Sequence, residues 1–455
     1  MNHPDLRSIS EIAPLIRAGA ISVVDLVSAS LAQIRTRASL NAIITVLEDT
    51  AREDARRLDT EIRSGRWRGP LHGIPIAVKD LVDVAGTRTT AGSAIPTAAA
   101  AVDAPVTTRL RDAGAILVAK TNLHEFAFGT TSDESAFGPV RHPQDESRSA
   151  GGSSGGSAAA LATGMCFGAL GTDTGGSIRI PSAVCGTVGL KPSLGEVSLE
   201  GVLPLSTTLD HIGPMTRSVQ DAALMFEAMA GPSNAPAAPA EGSLRFGVLR
   251  PYFCDRLDSG VREALDEACT QLARAGHEVL EAAVEHADIT ADVYLHIVLP
   301  EAAWYHGPLL DRSAGQYSPG VRIRLEMGRY VLAEDYVRAM HLRDELRRQV
   351  DRALEDVDAL LLPSLAIPAP LLGASTVAVG GHQEPVRALM LRLTQLFNIT
   401  GHPALALPGK PGADGLPRGL QLVGKARQTR RLLSVGMAVE RQISGGAGSV
   451  GGGTG

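Results

Sequence analysis

The chain reads as an α/β protein, on three observations. Short apolar runs of strand character alternate along it with stretches of helical periodicity. Hydrophobic residues make up 44% of its 455 residues and charged residues 20%, the balance of a soluble protein with a large core rather than a disordered chain, a collagen or a coiled coil. No internal repeat is visible. Length alone allows one large domain or two to three smaller ones. The formal net charge is −6, from 43 Lys+Arg against 49 Asp+Glu, and no basic block occurs. A nucleic-acid or anionic-membrane partner needs clustered positive charge and is not expected.

The first sixty or so residues read as helical. Ser8 with Glu11 and Ser22 with Asp25 have capping-box spacing. Val23, Val24, Leu26, Val27, Leu31 and Ile34 mark an apolar helical face, and a second helix is expected from 43 to about 63. Ile74, Pro75, Ile76, Ala77 and Val78 form a strand-like run. Another, at 115–119, follows a helix-like stretch at 107–113. Residues 231–242 (GPSNAPAAPAEG) read as a surface connection, and a strand restarts at 244–249. Residues 289–349 read as mostly helical and carry Trp304, Tyr305, Tyr317, Tyr330 and Tyr336.

Residues 359–381 carry no charge and are long enough to span a bilayer. Pro363, Pro368, Pro370, Gly373, Gly380 and Gly381 would break a helix there repeatedly. The stretch therefore reads as a buried strand at 359–362 followed by an ordered loop. The tail 444–455 is rich in Gly and Ser and is expected to be disordered. Cys166, Cys185, Cys254 and Cys269 form no Cys-x-x-Cys, so neither a disulfide framework nor structural zinc is expected. The opening residues lack an apolar export segment, which with free thiols points to the cytoplasm.

The chemistry concentrates in residues 149–172, where twenty-four residues carry no charge and are mostly Gly, Ser and Ala. GGSSGGS at 151–157 leads on to GTDTGGSIRIP at 171–181. A flexible linker would not be interrupted by Leu161, Met165, Phe167 and Leu170. A phosphate-binding P-loop needs Gly-x-x-x-x-Gly-Lys-Ser/Thr, which is absent. Residues 151–155 match Gly-x-Ser-x-Gly, but a nucleophile elbow needs an apolar strand before the serine. Here RHPQDESR precedes it, a polar loop.

Taken together, these two motifs resemble the amidase signature family. Further matches are Gly73-Ile74-Pro75-Ile76-Ala77-Val78-Lys79-Asp80, Lys120-Thr121-Asn122 and Ser135-Ala136-Phe137-Gly138-Pro139. Others follow at Cys185-Gly186-Thr187-Val188-Gly189-Leu190-Lys191-Pro192, Asp210-His211-Ile212-Gly213-Pro214 and Gly419-Leu420-Gln421-Leu422-Val423-Gly424. The resemblance implies a large mixed, twisted β-sheet wrapped by helices. It implies one domain over 1–443, with the N-terminal helices of 1–65 packed on it and 444–455 outside it. It also implies hydrolysis of amide C–N bonds by a Ser–Ser–Lys triad.

Carried over residue by residue, the nucleophile is Ser177, the bridging serine Ser153 after a cis bond from Gly152, and the base Lys79. Backbone N–H groups of Thr174, Gly175, Gly176 and Ser177 would form the oxyanion hole. A lysine base working near neutral pH needs its pKa lowered by about two to three units, which desolvation supplies. Residues 74–78 and the uncharged 149–172 offer such surroundings, and Asp80, next along the strand, faces the other way. Ser154 is expected to steady the turn, and Asp173 and Arg179 to pair structurally. His72, His211 (expected in a loop) and the pair His124-Glu125 show no metal spacing, so no metal and no cofactor are expected.

The expected partner is a small-molecule amide or carbamate. Phe126, Phe128, Trp304 and Tyr305 are candidates for an apolar pocket that would favour aryl or hydrophobic amides, in the manner of aryl acylamidases, with carbamates (urethanes) and esters also accessible. The alternative within the family is the glutaminase component of a glutamyl-tRNA amidotransferase. That component typically has Thr-Tyr-Gly after Gly-Leu-Lys-Pro, where this chain has Ser193-Leu194-Gly195. A further alternative is a catalytically inactive ligand-binding relative. The oligomeric state is not legible in the sequence.

Overall fold

A computed structural model describes residues 6–231 and 237–444. Residues 445–455 of the expected tail, and 232–236 of the Pro/Ala/Gly connection, lie outside the described residues.

The apolar runs become strands. In chain order these are β1 (Ile43–Val46), β2 (Pro75–Lys79), β3 (Ile116–Thr121), β4 (Gly168–Asp173), β5 (Val188–Lys191), β6 (His211–Thr216) and β7 (Arg245–Leu249). They continue with β8 (Glu278–Ala282), β9 (Ala359–Pro363), β10 (Thr376–Val379), β11 (His382–Pro385), β12 (Ala404–Pro408) and β13 (Gly419–Val423). Eleven of them form one sheet, in the order β1-β3-β2-β4-β6-β5-β12-β13-β9-β7-β8. The sheet is mixed: β2 runs parallel to β3 and β4, and β7 parallel to β8 and β9, while β4 pairs antiparallel with β6. Strands β2 to β6 are buried along their whole length. Burial on both faces explains why β2 and β3 read as continuous apolar runs rather than alternating ones.

Helices cover the sheet. The helix Pro105–Asp112 joins β2 to β3, and Gly155–Ala162 runs into β4. The N-terminal helix Ile9–Arg17 starts with the full capping box of Ser8 and Glu11. Its first N–H groups, from Ile9 and Ser10, donate to the buried Asp221 at 2.8 and 2.9 Å, which ties the chain's beginning to the helix Val219–Ala230. At Ser22 the box is half made. Ser22 Oγ accepts from Asp25 N, but it donates to Asp59, whose carboxylate also takes the Val23 N–H. Aspartate is one methylene shorter than the glutamate of a full box, and a carboxylate from the next helix does its work.

Three expectations need correction. The helix expected over 43–63 begins only at Glu48 (Glu48–Arg63), because the β-branched run Ile43-Ile44-Thr45-Val46 pairs antiparallel with β3. His211 is not in a loop but opens β6, opposite Asp173. The stretch after β9 is not loop throughout, since β10 pairs with β11 in a separate two-stranded hairpin. No helix among the described residues is long and apolar enough to cross a membrane.

Candidate active site

Parallel pairing of β2 with β4 brings two chain ends together. Lys79 is the last residue of β2, while Thr172 and Asp173 close β4. Beyond Asp173 the chain turns through 174–178 into the buried helix Arg179–Cys185. Opposite them, the loop at 151–154 leads into the helix Gly155–Ala162, and its Gly152–Ser153 peptide bond is cis. A Cβ on Gly152 would stand 2.8 Å from the backbone nitrogens of Thr131 and Ser132, so only glycine lets the two loops approach this closely. Ser132 Oγ donates to the Ser153 carbonyl, as does the His124 N–H.

Lys79 is fully buried. Its Nζ lies 2.7 Å from Ser153 Oγ and 2.7 Å from Thr172 Oγ1. Both partners are neutral hydroxyls. Burial lowers the amine's pKa to about 7, against a smaller opposing pull from the Asp173 and Asp210 carboxylates. Asp80, the next residue, turns to the other side and pairs with Lys120 at 2.6 Å, as the strand alternation predicts.

Ser177 retains 6% exposure, and its carbonyl accepts the Ser154 N–H at 3.2 Å. Ser154 Oγ in turn donates to the Thr172 carbonyl. Among the described residues no acceptor is found for the backbone N–H of Thr174, Gly175, Gly176 or Ser177. Gly176 has φ +144°, and a Cβ on Gly175 would meet Tyr294 Oη at 2.6 Å. Thr394 Oγ1 donates to the Gly175 carbonyl, which turns that carbonyl away and leaves the N–H side of the turn free.

Charged groups hold this turn from behind. Asp173 and Arg179 are fully buried and paired at 2.9 Å. Burial would raise the Asp173 carboxyl, but the Arg179 guanidinium outweighs it and holds the group well below the usual carboxylate range. Asp173 also accepts the Ile178 N–H. Asp210 accepts from Thr174 Oγ1 at 2.5 Å and from the N–H groups of Leu205 and Ser206; burial pushes it up to about 6.

A cavity of about 660 Å³ adjoins the serine loop, lined by His124, Thr130, Thr131, Asp133, Glu134, Arg324, Arg387 and the segment 372–375, among others. None of the four aromatic pocket candidates lines it; Trp304 lines a separate cavity with Thr207, Glu301 and Tyr336. Phe126 is buried against His306 and Tyr317. Phe128 is buried with two arginines over its ring. Tyr305 meets His306 edge-on, and Trp304 is 74% exposed. Residues 304 and 305 sit on the solvent side of the helix Thr290–Ser313, whose aromatic content gave no clue to which face is buried.

Sequence reasoning missed Thr172, Asp210, Tyr294 and the arginine pair. Thr172 stood in the Gly-Thr-Asp-Thr-Gly-Gly-Ser motif, but only the β2–β4 pairing shows that it faces Lys79. Residues 289–349 gave helices without saying which side chains look inward. Among the described residues no cluster of His, Cys, Asp and Glu could hold a metal ion.

A family model described as Amidase matches residues 25–433. The chain belongs to the amidase signature family. It is 42% identical to an amidase from Pseudomonas putida, over 95% of each chain. It is 36% identical to one component of the glutamyl-tRNA(Gln) amidotransferase from Carboxydothermus hydrogenoformans, covering 95% of this chain and 96% of that one. A solved structure titled as the crystal structure of an amidase superposes with a TM-score of 0.92 at 41% identity, covering 96% of this chain and all of the other. The chain is therefore an amide-hydrolysing enzyme, and its mixed sheet with surrounding helices is that of amidase structures.

Proposed function

We propose that the chain is a stand-alone serine amidase that cleaves the C–N bond of small amides through an acyl-enzyme on Ser177. The observation that carries the reading is Lys79, a fully buried amine with only two hydroxyls 2.7 Å away. Uncharged, that amine accepts the Ser153 O–H, and Ser153 Oγ is then free to take the proton of Ser177 as its oxygen attacks the carbonyl. Tetrahedral collapse returns the proton along the same path to the departing nitrogen. Water repeats the sequence on the ester that remains. The open N–H groups of 174–177 supply donors for the developing oxyanion, a contribution of about 3–4 kcal/mol for each donor that matters.

Nothing in this chemistry requires nitrogen as the leaving atom, so carbamates and esters lie within its reach. The 42% identity to the Pseudomonas putida amidase, against 36% to the amidotransferase component, favours this reading over the amidotransferase glutaminase. Four free cysteines, three of them buried, fit a cytoplasmic setting. The test is labelling with a fluorophosphonate, followed by peptide mass spectrometry and a chromogenic anilide assay on the isolated chain. An adduct on Ser177 and turnover without a partner are expected; an adduct elsewhere, or no turnover until a partner is added, would overturn the reading.

A further inference from the structure

The 174–177 turn has few side chains to hold it. Gly175 and Gly176 have none, and the Ser177 hydroxyl belongs to the reaction. The turn is fixed instead by what flanks it and by its carbonyls. Asp173 takes the Ile178 N–H, Thr394 Oγ1 donates to the Gly175 carbonyl, and the Ser154 N–H donates to the Ser177 carbonyl. The remaining side chain is that of Thr174, which is buried and donates its hydroxyl to Asp210 Oδ1 at 2.5 Å.

Asp210 is placed to keep that bond. Its other oxygen, Oδ2, takes the N–H groups of Leu205 and Ser206 at 2.9 and 3.1 Å, so the carboxylate cannot turn without breaking both. The loop that supplies them is clasped by Glu301, on the helix Thr290–Ser313. Glu301 accepts from the Ser206 and Thr208 hydroxyls at 2.5 and 2.8 Å and from the Thr208 N–H at 3.1 Å. Threonine is stiff at χ1, so a fixed hydroxyl fixes the Cα–Cβ bond and, with it, the peptide planes on either side. Those planes carry the N–H groups of Thr174 and Gly175, two of the donors open to an oxyanion.

The two aspartates beside the site are held differently. Asp173 has the Arg179 guanidinium, whereas Asp210 has only neutral donors among the described residues. Around Asp210 stand Lys79 at the end of β2, Asp173 at the end of β4, and Glu301 and Tyr294 on the helix Thr290–Ser313. The adjacent His211 is kept uncharged by burial, and Arg343 reaches the loop at the Thr208 carbonyl. The Asp210 charge also favours the proton on Lys79.

We propose that Asp210 is a positioning residue for amide cleavage, its carboxylate holding the Thr174 hydroxyl and through it the first N–H groups of the oxyanion turn. This rests on the reading of Ser177 as the nucleophile. Asparagine at 210 would turn its carbonyl oxygen to the Leu205 and Ser206 N–H groups, because its amide nitrogen cannot accept them. It would then offer Thr174 a donor in place of an acceptor.

The experiment measures kcat and KM for a chromogenic anilide, per mole of folded protein, in Asp210→Asn, Thr174→Val and the double variant. Each single change should lower kcat by about 10- to 100-fold with little change in KM, since oxyanion donors act on the transition state. The double variant should be no slower than the slower single one, because both break the same contact. The rising limb of kcat/KM should move to lower pH in Asp210→Asn, where a charge favouring the lysine proton is gone, and stay in place in Thr174→Val. A purely structural residue would lower Tm and leave both kcat and the limb where they are, which would overturn the proposal. So would losses that multiply in the double variant. Should Asp210→Asn fail to fold, Thr174→Ser and Thr174→Val carry the test: serine keeps the hydroxyl and should retain most of kcat, and equal losses in the two would overturn the proposal. A wild type that takes no fluorophosphonate on Ser177 defeats the nucleophile assignment instead, whereas normal labelling with variants at full kcat defeats only the role of Asp210.

Discussion

Two fully buried lysines stand on neighbouring strands, Lys79 at the end of β2 and Lys120 on β3. Burial presses both amines below their ordinary value. What faces them differs. Lys120 has the Asp80 carboxylate at 2.6 Å and also donates to the Arg88 carbonyl and Thr89 Oγ1, so its charge is matched and its donors filled. Among the described residues Lys79 has two hydroxyls at 2.7 Å and no carboxylate in ion-pair contact. A buried lysine with a counter-ion is a structural cross-link, whereas one with hydroxyls alone is held near the point of losing its proton, the condition a base needs.

The comparison breaks most visibly in activity. Lys79→Met and Ser177→Ala should each lower kcat by about 10⁴-fold or more, measured as turnover per mole of folded protein. Lys120→Met should keep its kcat per folded molecule.

Stability should move with opposite signs. Lys120→Met leaves Asp80 as a buried charge without its partner and should cost about 3–5 kcal/mol in urea unfolding. Lys79 binds its proton less tightly folded, near 7, than unfolded, near 10.4. The unfolded state therefore holds more protons between those values, stability rises with pH across that window, and the full penalty applies below it. Lys79→Met removes the penalty and should stabilise the fold by about 2–4 kcal/mol at pH 7, with the slope between pH 7 and 10 flattened.

The smallest effect concerns Thr172. Thr172→Val removes one acceptor of the charged amine, so the Lys79 midpoint should fall by less than about one unit and kcat by about tenfold. An upward shift in the pH–rate midpoint would show that Thr172 serves the neutral amine instead.

Much of this was legible in the chain. The runs at 74–78 and 115–119 became β2 and β3, and the expected pairing of Asp173 with Arg179 appears as a buried ion pair. Strand alternation correctly turned Asp80 away from Lys79. What escaped were features that depend on two distant segments meeting. Thr172 reaches Lys79 only through β2–β4 pairing, and Asp210 reaches Thr174 only because β6 lies beside β4. The burial of the aromatic residues also escaped, because a helix carries rings on both faces: on the helix Thr290–Ser313, Tyr294 is buried and Trp304 exposed.

The central claim is that the Lys79 amine loses its proton near neutral pH rather than near its ordinary value. The direct measurement is an NMR titration of protein with ¹³C at lysine Cε, the Lys79 signal assigned by its loss in Lys79→Met. A midpoint near 7, matching the rising limb of kcat/KM, is the predicted result; a midpoint near 10.4 with the protein folded would contradict it.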